Sequence, residues 1–153
     1  MILIAHRGNI NGKNTERENQ PDYIDEAILD GYDVEIDIWK IDDKLYLGHN
    51  SADYLIDIDW LKRRLSKLWI HCKNLSAAEY FFNSNDVMVR GYGNYFFHKT
   101  DDTTITSKGY LWVYPGNQPI KNSIAVMPEY NNDDVSNCMG ICSDVIEKYK
   151  NEQ

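Results

Sequence analysis

Two short stretches carry side chains suited to acid–base and phosphate chemistry. The first, IAHRGN, ends an apolar run in His6 and Arg7. The second, DVEIDIW, alternates acids with aliphatic residues, so that Glu35 and Asp37 share one face of a predicted strand. Paired carboxylates are ligands for a divalent ion, whereas histidine can move a proton and arginine can bind an anion. Their spacing therefore points to a site for a charged substrate.

Further polar residues follow other apolar runs. His49 follows the run KLYL, His71 and Lys73 share a face at the end of LWIHCK, and His98 ends NYFFH. In a parallel α/β protein the carboxyl ends of the strands form the functional edge of the sheet. We therefore expect histidines, acids and cations to converge on one mouth.

The elements that position these residues alternate between strand and helix. Apolar runs predict strands in MILIAH, DVEIDIW, LWIHCK, NYFFHK, YLWVYP, SIAVMPE and GICS, and a short extended piece in KLYLGH. A helix is predicted from Pro21, with Gly31 as its stop, and another is capped by Asp57 or Asp59. A capping box from Ser76 to Glu79 predicts a third helix, and DVIEKYK predicts a last one.

This order favours a single α/β domain over residues 1–153. Strand, helix and strand in succession imply right-handed parallel connections. A complete eightfold barrel takes roughly 200 residues or more, and the chain has 153. We therefore predict a reduced or distorted TIM-type (β/α) barrel whose crossover helices are missing in the second half.

Composition excludes several classes of function. The formal net charge of −8 argues against general nucleic-acid binding, which needs basic surfaces. No apolar run approaches a membrane span, and MILIAHRG lacks the basic start of a signal peptide. The three cysteines cannot all pair with one another, so we expect reduced thiols in a cytoplasmic protein.

Several motifs together resemble the glycerophosphodiester phosphodiesterases, within the phospholipase-C-like phosphodiesterases. HRGN, REN, DEAILDGYDVEIDIW and LYLGHN are similar to that family's His-Arg-Gly, Glu-Asn-Thr, Ala-x-x-x-Gly-Ala-Asp-x-x-Glu-x-Asp and later His-Asp motifs. LWIHCKN, LWVYPGN and GICSD resemble its Ile-Glu-x-Lys, Trp-Thr-x-Asn and Gly-Ile-x-Thr-Asp strands. The resemblance spans the chain, with a large internal deletion, and extends to small reduced members associated with surface-polysaccharide genes.

The resemblance implies a role for each matching residue. His6 and His49 match the catalytic acid–base pair, and Arg7 matches the phosphate-binding arginine. Glu35 and Asp37 match two ligands of one divalent ion, which would be Mg, Ca, Mn or Zn. Lys73 matches a substrate-binding residue, and Trp112 matches a residue that contacts the substrate. His71 stands at the position of the third metal ligand. The implied substrate is a small phosphodiester of lipid or glycan metabolism.

Departures from the family pattern leave alternatives open. His71 stands where the family has a glutamate, which removes a negative charge and suits zinc or a transition metal better than calcium. Asn50 stands where the family has an aspartate. Two hypotheses follow: an enzyme that hydrolyses a phosphodiester, or a degenerate relative that binds a phosphorylated ligand or acts as a module beside a glycan-building enzyme.

Other residues have more than one interpretation. His71 is either a ligand or a packing residue, and His98 is either peripheral or part of the site. Tyr110, Trp112 and Tyr114 lie at alternate positions of one strand and suit either the core or the wall of a substrate pocket. Glu129 offers a replacement carboxylate. Cys138 and Cys142 are at most half of a metal site, because no second pair exists.

Overall fold

The computed structural model describes residues 1–151. It contains ten strands, which are β1 (Ile2–His6), β2 (Asp33–Ile41), β3 (Lys44–Leu47), β4 (Tyr54–Ile56), β5 (Leu68–Cys72), β6 (Asn94–Phe97), β7 (Thr103–Ile105), β8 (Leu111–Val113), β9 (Ser123–Val126) and β10 (Gly140–Ser143). The α-helices are α1 (Pro21–Leu29), α2 (Ile58–Lys62), α3 (Leu75–Phe82) and α4 (Val87–Tyr92). Short 3₁₀ helices cover Leu65–Lys67, Pro128–Tyr130 and Ile146–Asn151.

The strands form one curled, mixed sheet. Eight of them run in the order β6-β5-β2-β1-β10-β9-β8-β7, in which only β7 pairs antiparallel. β3 and β4 extend the far end of β2 as antiparallel strands. The two edges approach each other where the Ser107 amide donates to the Tyr95 carbonyl at 2.8 Å. The prediction of a mixed α/β fold is thus confirmed at the level of a curled half-barrel.

Helices cover only the first half of the sheet. Every α-helix of the described residues lies before β6, and the segment from β6 onward contains only short 3₁₀ helices. This distribution agrees with the predicted loss of crossover helices in the second half. Within residues 1–151, no helix combines the length and apolar character that crossing a membrane requires.

Alternate residues of β2 face two different cores. Val34, Ile36 and Ile38 are fully buried in the outer core, where they pack with residues of α1 and α3. The inner core lies on the concave side of the sheet, where the Trp112 ring lies 4.7 Å from Phe96 between ring centroids. β2 therefore separates an aliphatic layer outside from a mixed aromatic and polar layer inside.

Local sequence signals explain most helix ends. Pro21 is the first residue of α1, and the Asp57 carboxylate caps α2 by accepting from the Trp60 amide. The predicted capping box is wrong: Asn74 caps α3 by accepting from the Ala77 amide, so the helix begins one residue before Ser76. The final segment is a 3₁₀ helix rather than an α-helix.

Candidate functional site

A cavity of about 590 Å³ opens at the carboxyl ends of the parallel strands. Its wall contains seven of the eight residues predicted for the site: His6, Arg7, Glu35, His49, His71, Lys73 and Trp112. The eighth, Asp37, is fully buried and in ion-pair contact with four of them. The structure thus brings together residues that are up to 106 positions apart in sequence, from His6 to Trp112.

Sheet register places the predicted metal ligands side by side. Asp37 of β2 pairs with His71 of β5, and Glu35 lies two residues earlier on the same face of β2. One donor atom from each of the three side chains lies within 4.8 Å of the others. His71 Nδ1 is 3.2 Å from Asp37 Oδ1 and 3.8 Å from Glu35 Oε1. Together these three buried side chains could hold a metal ion.

Two carboxylate oxygens among these three side chains are unsatisfied hydrogen-bond acceptors. Glu35 Oε2 and Asp37 Oδ1 are buried, and neither accepts a hydrogen bond of acceptable geometry. An unsatisfied buried acceptor costs about 1–3 kcal/mol, and more when it is charged. A cation would remove that cost, because carboxylate oxygens are its natural ligands. The donor set therefore fits the divalent ion that the sequence resemblance implies.

The two acids differ in their protonation behaviour. Burial, followed by the neighbouring Asp37 charge, raises the pKa of Glu35 well above its ordinary value. Burial also disfavours the charged form of Asp37, but its close contacts with His49 and His71 and the Arg7 charge hold its pKa well below the ordinary value. Asp37 is therefore the permanent anion of the site, and Glu35 is the acid that a bound cation would ionise.

Asp37 is also the hub of the surrounding contacts. Its Oδ2 atom lies 2.9 Å from Arg7 Nε and 3.1 Å from His49 Nδ1. The same oxygen accepts a hydrogen bond from Asn19 Nδ2 at 3.0 Å, while Asn19 Oδ1 accepts from the Asp37 amide. Lys73 Nζ is 3.4 Å from Oδ1. The buried carboxylate thus fixes the arginine, the lysine and one catalytic candidate around itself.

His6 is oriented by Asp144, which follows β10. His6 Nδ1 is 2.8 Å from Asp144 Oδ1, and that oxygen also accepts from Asn9 Nδ2 at 2.7 Å. Burial lowers the pKa of His6, although the Asp144 hydrogen bond opposes the shift. Burial tends to raise the pKa of Asp144, but the His6 contact holds it below its ordinary value. The Nε2 atom of His6, 3.8 Å from Glu35, remains directed at the cluster.

The carboxylate of Asp37 orients His49 in the same manner as Asp144 orients His6. Its Nδ1 atom faces Asp37 at 3.1 Å, and its Nε2 atom lies 3.3 Å from Arg7 Nη2. Because arginine can only donate, Nε2 accepts and the ring proton lies on Nδ1. Both histidines thus turn Nδ1 to a carboxylate and Nε2 away from it. The two differ in exposure, because the His49 side chain is 38% exposed and that of His6 is 14% exposed.

A tight turn after β1 places Arg7. Arg7 and Gly8 have φ angles of 54° and 91°, in the left-handed region that favours glycine. A Cβ atom at Gly8 would lie 2.8 Å from the Tyr23 ring. The guanidinium is also held by Glu18, whose Oε2 accepts from Nη1 at 3.2 Å. The glycine therefore lets β1 turn sharply enough to aim Arg7 across the cavity.

The residues with open interpretations take definite positions. Trp112 is buried in the inner core and also lines the cavity. His98 lines the cavity, and a 2.7 Å hydrogen bond joins its Nε2 atom to the Tyr114 hydroxyl. Glu129 accepts from Ser143 and Tyr149 and is not a member of the Glu35–Asp37–His71 group. Cys142 packs in the inner core and is not a member of the Glu35–Asp37–His71 group.

Asp144 and Asn19 are the main site residues that sequence reasoning missed. Asp144 follows a predicted strand, as His6 and His49 do, so its strand-end position was the available signal. Asn19 lies in the REN motif but precedes α1, where no strand end marks it. Comparison with known proteins adds no assignment, because no protein-family model, curated protein or solved structure matches the chain.

Proposed function

We propose that this chain is a metal-dependent phosphodiesterase, a small member of the glycerophosphodiester phosphodiesterase type built on a reduced TIM-type barrel. The observation that carries the proposal is the shared cavity of His6 and His49. Each ring is fixed through Nδ1 by a different carboxylate, Asp144 or Asp37. A structural histidine has no need of such matched bracing, whereas an acid–base pair needs a defined orientation and tautomer.

The anion-binding groups suit a phosphodiester. Arg7 can pair with two phosphate oxygens in one plane, and Lys73 adds a second positive charge beside it. Glu35, Asp37 and His71 would hold the divalent ion, which acts as a Lewis acid by neutralising charge on the phosphate oxygens. Because these positive groups offset the negative charge of the phosphate oxygens, the diester would repel an attacking nucleophile less.

The histidines divide the proton transfers. His6 is suited to accept a proton from the attacking nucleophile, because burial lowers its pKa and its Nδ1 proton is donated to Asp144. His49 is suited to protonate the leaving alkoxide once its Nε2 atom carries a proton. A phosphate that draws Arg7 Nη2 towards itself would free the Nε2 atom of His49, to which that group is now bonded, to take up a proton from solvent. Substrate binding and protonation of the acid are thus linked through one guanidinium.

A substrate and metal screen tests this function. Glycerophosphodiesters and glycan phosphodiesters are incubated with the protein and each of Mg, Ca, Mn and Zn. We expect cleavage with at least one combination, and a loss of roughly a hundredfold or more in His6→Ala and in His49→Ala. Thermal unfolding of both variants provides the folding control. Undiminished cleavage in the two variants would refute the assignment.

A phosphate-binding protein without turnover is the second candidate. The observation in its favour is His71, an imidazole that lies against both acids where the resembling family has a third carboxylate. Under this alternative, no diester is cleaved with any ion, yet phosphate still binds in the cavity and Arg7→Lys weakens that binding. Calorimetry with inorganic phosphate separates the two functions.

A further inference from the structure

A second pair of polar side chains lies beside the metal cluster and has no part in the proposed proton transfers. The His98 ring stacks on His71 with centroids 4.4 Å apart and planes 7° from parallel. The Tyr114 hydroxyl fixes the His98 ring through the 2.7 Å hydrogen bond at Nε2. The pair forms a wall beside His71.

The backbone of His98 fixes the proton of His71. The Nε2 atom of His71 bonds to the carbonyl oxygen of His98 at 3.4 Å. A carbonyl can only accept, so Nε2 carries the proton in that bond. The Nδ1 atom is the one that faces Glu35 and Asp37. A histidine held by a carbonyl on one nitrogen and free to ligate through the other is the usual arrangement of an imidazole metal ligand.

The donor set has consequences for the metal. Two carboxylate oxygens and one imidazole nitrogen converge here, whereas Mg²⁺ and Ca²⁺ take oxygen ligands almost exclusively. Imidazole suits zinc and the transition metals. Phe96 lies against the His71 ring as well, with centroids 5.0 Å apart, so the ring cannot easily swing away to make room for a water ligand.

We propose that His98 and Tyr114 are positioning residues that present His71 Nδ1 as a nitrogen ligand and so make the site selective for zinc or a transition-metal ion over magnesium and calcium. The inference rests on the proposed function in one respect, namely that Glu35, Asp37 and His71 hold an ion. It adds the residues through which the fold favours this class of ion.

Metal titrations of the full chain test the proposal. Affinities for Zn²⁺, Co²⁺, Mg²⁺ and Ca²⁺ are measured by calorimetry for the wild type, Tyr114→Phe and the matched control Tyr110→Phe. Tyr110 lies two residues before Trp112 and packs on Trp69 instead of His98. We expect Tyr114→Phe to weaken Zn²⁺ and Co²⁺ binding about tenfold or more, to change Mg²⁺ and Ca²⁺ binding little, and to shift the visible absorption of bound Co²⁺. Tyr110→Phe leaves all of these unchanged.

A second variant keeps the test decisive if Tyr114→Phe does not fold. His71→Glu restores an all-oxygen donor set, and we expect it to reverse the preference towards Mg²⁺ or Ca²⁺. In the wild type, ¹⁵N NMR of the zinc-bound protein should show coordination through Nδ1 of His71. Coordination through Nε2, or a selectivity that neither variant alters, would overturn the proposal.

The parallel hydrolysis assay separates the two levels of inference. A wild type that prefers Mg²⁺ or Ca²⁺ and cleaves diesters refutes the selectivity while the phosphodiesterase function stands. A wild type that binds Zn²⁺ through His71 but cleaves nothing supports the selectivity and refutes the activity. Failure to bind any divalent ion contradicts both.

Discussion

The two faces of β2 are equally buried and opposite in chemistry. Ile36 on the outer face and Asp37 on the inner face are both fully buried, although they are neighbours in sequence. The outer side chain packs against aliphatic residues of the outer core, and its burial stabilises the fold. The inner carboxylate is compensated by ion pairs and by the Asn19 hydrogen bond, and Glu35 on the same face retains an unsatisfied oxygen. Burial alone therefore does not distinguish a residue kept for stability from one kept for binding.

The largest expected effect falls on the outer face. Ile36→Ala should lower the free energy of unfolding by about 2–5 kcal/mol, because it removes buried aliphatic volume from a packed layer. Denaturant titration measures this loss. Divalent-ion affinity of the folded variant should stay within a few-fold of the wild type. A comparable loss of stability in Glu35→Gln would contradict the division of β2 into a stabilising and a binding face.

On the inner face, removal of an acid should stabilise the metal-free protein. Glu35→Gln eliminates a buried carboxylate with an unsatisfied oxygen, whose cost is about 1–3 kcal/mol. The raised pKa of Glu35 determines the direction of the pH dependence of stability. Above pH 4.5, the ordinary pKa of this side chain, Glu35 has lost its proton in the unfolded chain but keeps it in the folded chain. Wild-type stability should therefore fall as the pH rises from that value through the folded pKa.

The pH series should separate the two acids. Asp37 has a lowered pKa, so its contribution to stability is present above 3.8 and is lost only as the pH falls further. Urea titrations from pH 4.5 to 9 without metal should show declining stability in the wild type and a flatter profile in Glu35→Gln. An unchanged slope in the variant would show that Glu35 is not the titrating group.

Removing the charge that orients His6, the more buried of the two histidines, should have a smaller effect, and that effect falls on turnover. Asp144→Asn keeps the shape of the side chain but removes the anion that orients the more buried ring, His6. We expect a rate reduction of roughly tenfold to a hundredfold, less than in His6→Ala, with little change in ion affinity because Asp144 is not a member of the Glu35–Asp37–His71 group. Steady-state kinetics with the best diester measures it. Equal losses of ion affinity and of turnover rate would instead indicate general disruption of the site.

The smallest predicted effect concerns anion recognition. Arg7→Lys retains the charge but loses the planar pair of donors, and we expect phosphate affinity to fall about tenfold. Arg17→Ala is the control, because Arg17 lies outside the cavity and pairs with Glu26 and Asp22 at the surface. Calorimetry with inorganic phosphate distinguishes the two. A similar loss in both variants would indicate nonspecific electrostatics.

Periodicity and end signals predicted much of the fold and the site. The alternation in β2 placed Glu35 and Asp37 on one face, and the register with β5 brings His71 beside them. Pro21 marked the start of α1. Such signals are local, so each can be read from a few adjacent residues.

The failures arise where distant contacts decide between local options. Asn74 and Ser76 are both acceptable caps, and Asn74 prevails because its side chain also exchanges hydrogen bonds with the backbone of Lys40 on β2. The roles of Asp144 and Asn19 depend on partners 138 and 18 positions away. No local pattern specifies those partners, because they meet only when the sheet curls.

The central claim is that Glu35 and Asp37, on the inner face of β2, bind a divalent ion. One titration tests this claim most directly. A divalent ion is titrated calorimetrically into the wild type and into the double variant Glu35→Gln/Asp37→Asn, with circular dichroism confirming the fold of both. We predict one ion per chain in the wild type and no detectable binding in the folded double variant. Equal affinity in the two proteins would contradict the account.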